Sequence, residues 1–176
     1  RSVETFEKRI AGLFSKKFGL MVNSGSSALI LALKVMNFPK GSEIILPCLN
    51  FGTAVSSVML SNLNPVLVDC EVKTLQIDVK KIEKKISKKT KALLIPNLIG
   101  NIPDWKKIRI LANKYKLKVI EDSADTLGAK LNDKSTGVYS DISITSFYGS
   151  HVISCAGNGG MLLTSNKNFY NKAKIL

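Results

Sequence analysis

Residues 91–122 read KALLIPNLIGNIPDWKKIRILANKYKLKVIED, and this stretch decides the fold. KALLIP (91–96) is an apolar run of strand length. DWKKIRILANKYK (104–116) carries apolar residues at helical spacing, and KVIED (118–122) is a second apolar run. Strand, helix and strand in that order predict parallel strands joined by a helical crossover. The same rhythm extends toward the N-terminus. GLMVN (19–23), EIILP (43–47) and PVLVDC (65–70) read as strands. SSALILALKVM (26–36), residues 52–60 and VKKIEKKI (79–86) read as helices. ISITSF (142–147) and GMLLTS (160–165) follow as strands with little helix between them. The prediction is an α/β domain whose mostly parallel sheet has helices on both faces and is mixed at one point, where the last two strands break the rhythm.

A chain of 176 residues is long enough for one domain with a real core. It starts inside one amphipathic helix, RSVETFEKRIAGLF, and stops inside another, NFYNKAKIL. Residues 1–176 are therefore expected to be a single domain truncated at both ends. No apolar run approaches the ~20 residues of a membrane span, and the N-terminus lacks a signal-peptide layout. A cytoplasmic location, with no membrane partner, is the expectation.

The net charge of +13 admits a nucleic-acid or anion-binding reading. Only three of the 26 basic residues are Arg (Arg1, Arg9, Arg109), and the lysines are scattered in pairs. Arginine is the residue that forks phosphates and reads bases, so no nucleic-acid partner is expected. Cys48, Cys70 and Cys155 form no CxxC or zinc spacing, and no metal site is expected. Cys70, closing an apolar run, reads as a buried filler.

Chemistry in such sheets gathers at the carboxyl ends of strands. Ser24-Gly25-Ser26-Ser27 lies between a strand and a helix. It reads either as an ordinary serine cap or as a phosphate-binding helix N-terminus. Glu121-Asp122 ends a strand, and an acidic residue there could pair with a ring nitrogen and keep it protonated, or simply cap a helix or loop. Phe51 could lie on an aromatic ring or fill the core. His151, the one histidine of the chain, sits in a Gly- and Ser-rich loop, SFYGSHVIS, and is a candidate proton carrier.

In order, VNSGSSALILAL, EIILPCLNFGTAVSSV, PVLVDCEVKTLQID, KVIEDSADTLGA and SDISITSFYGSHVISCAGNGGMLLT resemble the segments of the DegT/DnrJ/EryC1/StrS sugar aminotransferase family. The resemblance covers nearly the whole chain. It implies the large domain of a fold type I enzyme (aspartate aminotransferase-like) that uses pyridoxal or pyridoxamine 5'-phosphate. It implies a small C-terminal domain outside this sequence, and a homodimer. It places Gly25, Ser26, Ser27 and Ser146 at the cofactor phosphate, Phe51 against the ring, and Asp122 at the pyridine nitrogen.

The departures from the family pattern bear most on function. His151 stands where the family carries its cofactor-binding lysine, and imidazole has no primary amine to bond the cofactor aldehyde. The resemblance is then to the branch that holds pyridoxamine phosphate without a covalent link, the NDP-4-keto-6-deoxyhexose 3-dehydratases. Asp125, in place of the usual Gln, points to the same branch. Gly149 replaces a usual Pro, and Asn158 a usual Glu. Ala124 falls near the position of one iron–sulphur ligand of some dehydratases, so no cluster is expected. The implied reaction is C3 deoxygenation of an NDP-4-keto-6-deoxyhexose with glutamate as amino donor. His151 and Asp122 are its expected catalytic residues, and Gly25, Ser26, Ser27, Phe51, Asp122, Asp125 and Ser146 hold the cofactor. The alternatives are an aminotransferase homologue with an altered lysine site and a non-catalytic binder of cofactor or nucleotide sugar.

Overall fold

The computed structural model describes residues 2–151, 153–155 and 157–176; Arg1, with which the expected first helix begins, and Val152 and Ala156 lie outside the described residues. The elements run α1 (Ser2–Leu13), β1 (Phe18–Val22), α2 (Gly25–Met36), β2 (Glu43–Pro47), α3 (Gly52–Leu60), β3 (Asn64–Val68) and α4 (Val79–Ile82). They continue through β4 (Thr90–Pro96), α5 (Trp105–Lys114), β5 (Lys118–Asp122), β6 (Lys130–Leu131), β7 (Lys134–Ser135), β8 (Ile142–Ser146), β9 (Gly160–Thr164) and α6 (Lys167–Ala173).

Seven strands form one sheet in the order β1-β9-β8-β5-β4-β2-β3. β2 pairs in parallel with β3 and β4, and β5 with β4 and β8. β9 runs antiparallel to both β1 and β8. It is the reversed strand that the broken rhythm predicted.

Side chains alternate across a strand, and the core follows that period. Ile44, Leu46, Ala92, Leu94, Ile120, Ile142, Ile144 and Leu162 point to one face and pack with α2, α3 and α6. Ile45, Leu93, Ile95 and Val119 point to the other face and meet Trp105, Ile108 and Ala112 of α5. Met161 and Leu163 use that second face under α1, against Ile10, Ala11 and Phe14. This two-sided burial explains why the strands read as continuous apolar runs.

Two local expectations need correction. Residues 79–86 do not form one helix: α4 is a single turn capped by Asp78, and a 3-10 turn, Glu83–Lys85, follows. Lys80/Lys84 and Lys81/Lys85 are like charges at i,i+4, which opposes helix propagation. Cys70 is not a buried filler. β3 ends at Val68, and Cys70 is half-buried, bridging to Ile77, with its thiol beside that of Cys48.

Candidate active site

The same alternation separates two adjacent carboxylates. Asp122 shares the face of Ile120, toward α2, whereas Glu121 shares the face of Val119, toward α5. They therefore meet different environments. Glu121 is fully buried. It accepts hydrogen bonds from Asn97 Nδ2 (3.0 Å), Ser123 Oγ (2.9 Å), Ser143 Oγ (2.6 Å), Ser140 Oγ (3.3 Å) and Thr136 Oγ1. Asn97 in turn accepts from Trp105 Nε1 at 2.8 Å. Hydroxyl and amide donors on several elements thus converge on one charge and fix the end of β5. Nearby, burial lowers the Lys16 ammonium to about 8, opposed by the charges of Glu121 and Asp141.

Among the described residues, the Asp122 side chain accepts one hydrogen bond, from the Ala124 N–H at 3.0 Å. Burial pushes its carboxyl up to about 6, the Ala124 N–H opposes the rise, and the charges of Asp125 and Glu121 add to it. A carboxylate so placed is short of a cation. A protonated ring nitrogen at this point would supply one.

Asp122 lines a cavity of about 810 Å³ at the carboxyl ends of the strands. Ser24, Gly25 and Ser26 enter it from the start of α2, and Ser146 from the end of β8. Ser24 caps α2, its hydroxyl accepting from the Ser27 N–H at 3.1 Å. The first-turn amides of Gly25 and Ser26 have no acceptor within the helix. Gly25 is required here by close approach: a Cβ would lie 2.8 Å from Ser146 Cβ. This contact sets the Ser146 hydroxyl against the positive end of α2, an arrangement suited to phosphate. Phe51 stands at the entrance to α3 and is 70% exposed at the cavity wall. His151 also lines the cavity, with Asp125 and Tyr148 beside the imidazole, and so does Ile99.

Of the residues expected from sequence, Gly25, Ser26, Phe51, Asp122, Asp125, Ser146 and His151 all line this one cavity. Ser27 does not line it; its hydroxyl accepts from Ser24 Oγ at 3.0 Å within the cap. Sequence reasoning missed Asn97, which both lines the cavity and holds Glu121, and Asn50, beside Phe51. Their one sequence signal was position, just past the ends of β4 and β2. Asn50 Nδ2 and His151 Nδ1 are buried without a hydrogen-bond partner, and both residues face this cavity. Unpaired polar atoms in a concave, mostly apolar site are what a polar ligand would satisfy. Among the described residues, no lysine lines the cavity, and no group of three or more His, Cys, Asp or Glu is placed to hold a metal.

The sequence pattern of the DegT/DnrJ/EryC1/StrS aminotransferase family matches residues 1–176. The chain belongs to this family. Among curated members, it is 35% identical to the GDP-perosamine synthase of Caulobacter vibrioides over 176 residues, all of this chain and 47% of that protein. It is 34% identical to the GDP-4-keto-6-deoxy-D-mannose 3-dehydratase of Yersinia pseudotuberculosis, over 97% of this chain and 44% of that one. The chain spans about half the length of these relatives. NtdA from Bacillus subtilis, solved with its cofactor pyridoxamine phosphate, superposes with a TM-score of 0.92 at 32% identity, over 98% of this chain and 39% of NtdA. The Escherichia coli GDP-4-keto-6-deoxy-D-mannose-3-dehydratase, solved with hydrated pyridoxal phosphate, gives 0.91 at 29% identity, over 97% and 45%. The fold of DegT-family aminotransferases, mixed sheet included, is the fold of this chain. Among its described residues, no helix is long and apolar enough to cross a membrane.

Proposed function

We propose that this chain is the cofactor-binding large domain of an enzyme that uses pyridoxamine phosphate to remove the C3 hydroxyl of an NDP-4-keto-6-deoxyhexose. A small C-terminal domain and a second subunit complete the site in this reading. The observation that carries it is the composition of the cavity wall: an imidazole, His151, and no lysine among the described residues. The cofactor is then held by contacts rather than by a covalent bond to the chain.

The residues present fit such a cofactor. Its phosphate is received by the amides of Gly25 and Ser26 and the hydroxyls of Ser26 and Ser146, with Ser27 supporting the cap. Phe51 would flank its ring, and Asp122 would pair with the ring N–H, which would neutralise the carboxylate and keep the ring electron-poor. When bound, pyridoxamine phosphate supplies the amine that condenses with the C4 ketone and a ring that accepts an electron pair. His151 takes the proton from the cofactor C4' carbon and delivers it to the departing C3 oxygen, which leaves as water. Asp122 holds its own proton partner throughout. Over the cycle the coenzyme would give up its amine as ammonia and be left as the aldehyde when the 3-deoxy-4-keto sugar nucleotide leaves, and glutamate would restore the amine, itself leaving as 2-oxoglutarate.

The GDP-perosamine synthases among the relatives favour amino transfer instead. That route uses an amine on the protein, which position 151 lacks. Incubating the protein with pyridoxamine phosphate, glutamate and a GDP- or dTDP-4-keto-6-deoxyhexose separates the readings by mass. A product lacking one oxygen and carrying no nitrogen on the sugar supports deoxygenation, and an amino sugar refutes it. His151→Asn should abolish the deoxy product while leaving pyridoxamine phosphate binding intact.

A further inference from the structure

His151 is not alone on its side of the cavity. Its Nε2 lies 3.7 Å from Asp125 Oδ1, a little beyond direct hydrogen-bond length. Its Nδ1 is buried and has no hydrogen-bond partner among the described residues. The Tyr148 ring stands edge-on to the imidazole, 6.0 Å between centroids at 68°, and the His151 N–H donates to the Tyr148 carbonyl at 2.9 Å. The imidazole is thus held between an aromatic edge and a carboxylate.

Asp125 is itself fixed. Its other oxygen, Oδ2, accepts from the Ile99 N–H at 3.2 Å. Ile99 makes that contact from a left-handed conformation, φ 57° and ψ 31°. A β-branched residue pays for that conformation with about 1–2 kcal/mol. The turn bearing Asp125 is pinned on both sides, by Thr126 N–H to the Ser123 carbonyl (3.2 Å) and by Thr126 Oγ1 to the Asn97 carbonyl (2.8 Å). Strained backbone that aims an amide at a half-exposed carboxylate, which in turn faces the one histidine, is an arrangement kept for a site rather than for packing.

We propose that Asp125 is a positioning residue: it fixes the orientation of His151 and its tautomer, with hydrogen on Nε2. The alternative tautomer fails on two counts. It sets the Nε2 lone pair toward a carboxylate oxygen, and it buries an Nδ1–H donor with no acceptor among the described residues. With Nε2–H toward Asp125, the carboxylate meets a positive hydrogen rather than a lone pair. Asp122 is the other acid that lines the cavity, and its partner in the proposed reaction is the ring nitrogen. This inference rests on the deoxygenation reading for its catalytic meaning, but not for its test.

The chain has one histidine, so its imidazole nitrogens give an unambiguous signal. Long-range proton–nitrogen NMR on uniformly 15N-labelled protein, at about pH 9 where histidine is neutral, reads the tautomer directly. The wild type should show one tautomer, Nε2–H, with that proton protected from solvent exchange. Asp125→Ala should lose the protected proton and populate both tautomers. Asp125→Asn, whose side-chain oxygen still accepts, should restore it. The Asp125 side chain is 42% exposed, so both variants should keep the wild-type unfolding temperature, which is measured alongside. In the deoxygenation assay, Asp125→Ala should lower kcat about 10- to 100-fold with KM within about twofold, by the measure of supporting groups elsewhere. An Nδ1–H tautomer in the wild type, or an unchanged spectrum in Asp125→Ala, overturns the positioning role. The tautomer pattern holding while no deoxy sugar forms would sink the deoxygenation reading alone.

Discussion

Asp122 makes the cofactor-free protein less stable than it could be, and the size of that effect follows from its position. Its carboxyl, ordinarily near 3.8, is raised to about 6, first by burial and then by the neighbouring charges of Asp125 and Glu121, against the Ala124 N–H. In the unfolded chain the group ionises near its ordinary value. Below that value both states are protonated and the group is neutral in its effect. Between that value and about 6 the unfolded chain ionises while the native state keeps its proton, so stability falls steadily; above about 6 both are ionised and the loss is complete. The rise is worth about 3 kcal/mol at neutral pH. Asp122→Asn removes the charge and keeps an oxygen to accept from Ala124. Denaturant unfolding of both cofactor-free proteins between pH 4 and pH 8 tests this. The advantage of the Asn variant should grow by about 2–3 kcal/mol across that window and level off above about pH 7. Pyridoxamine phosphate should stabilise the wild type more than the variant, because the ring N–H partners the carboxylate. An advantage that does not change with pH would refute the burial argument.

Three further substitutions separate folding from binding. Glu121→Ala removes the shared acceptor of five buried donors, of which Asn97 and Ser140 keep other acceptors, and urea unfolding should show a loss of about 3 kcal/mol or more, with no rescue by cofactor. Gly25→Ala drives a Cβ to 2.8 Å from Ser146, and should cost about 1–3 kcal/mol in the same assay while weakening inorganic phosphate and pyridoxamine phosphate binding together. Phe51→Ala, at an exposed position, should leave Tm unchanged but raise the Kd for pyridoxamine phosphate about two- to tenfold in a fluorescence titration.

Much of this was readable in the chain because the fold repeats one physical rule. Apolar runs ending in polar residues marked strand ends, and strand ends are where ligands bind. The Glu121-Asp122 pair and the serines near residue 25 were marked by that pattern, whereas Ser146 was marked only by the family resemblance. Asp122 was preferred to Glu121 on the resemblance; strand parity separates the two, and the structure shows that the Asp122 side borders the cavity. What sequence could not disclose depends on contacts between distant segments. Ile99 gives no local sign of its left-handed backbone. Asn97 becomes important only because β4 lies beside β5, which brings Glu121 and Ser123 to it. The meeting of Asp125 with His151 joins turns after two different strands, and that of Cys48 with Cys70 joins the ends of β2 and β3. The failed helix at 79–86 has a different cause: its apolar period was real, but like-charged lysines and a short run left one turn.

The account depends most on position 151 offering no amine. Loading the protein with pyridoxal phosphate, reducing with borohydride and mapping peptides by mass spectrometry tests that directly, with His151→Lys as the positive control. The cofactor should wash out of the wild type unattached and remain fixed to residue 151 in the control. A reduced cofactor bonded to any lysine of the wild-type chain would contradict the account.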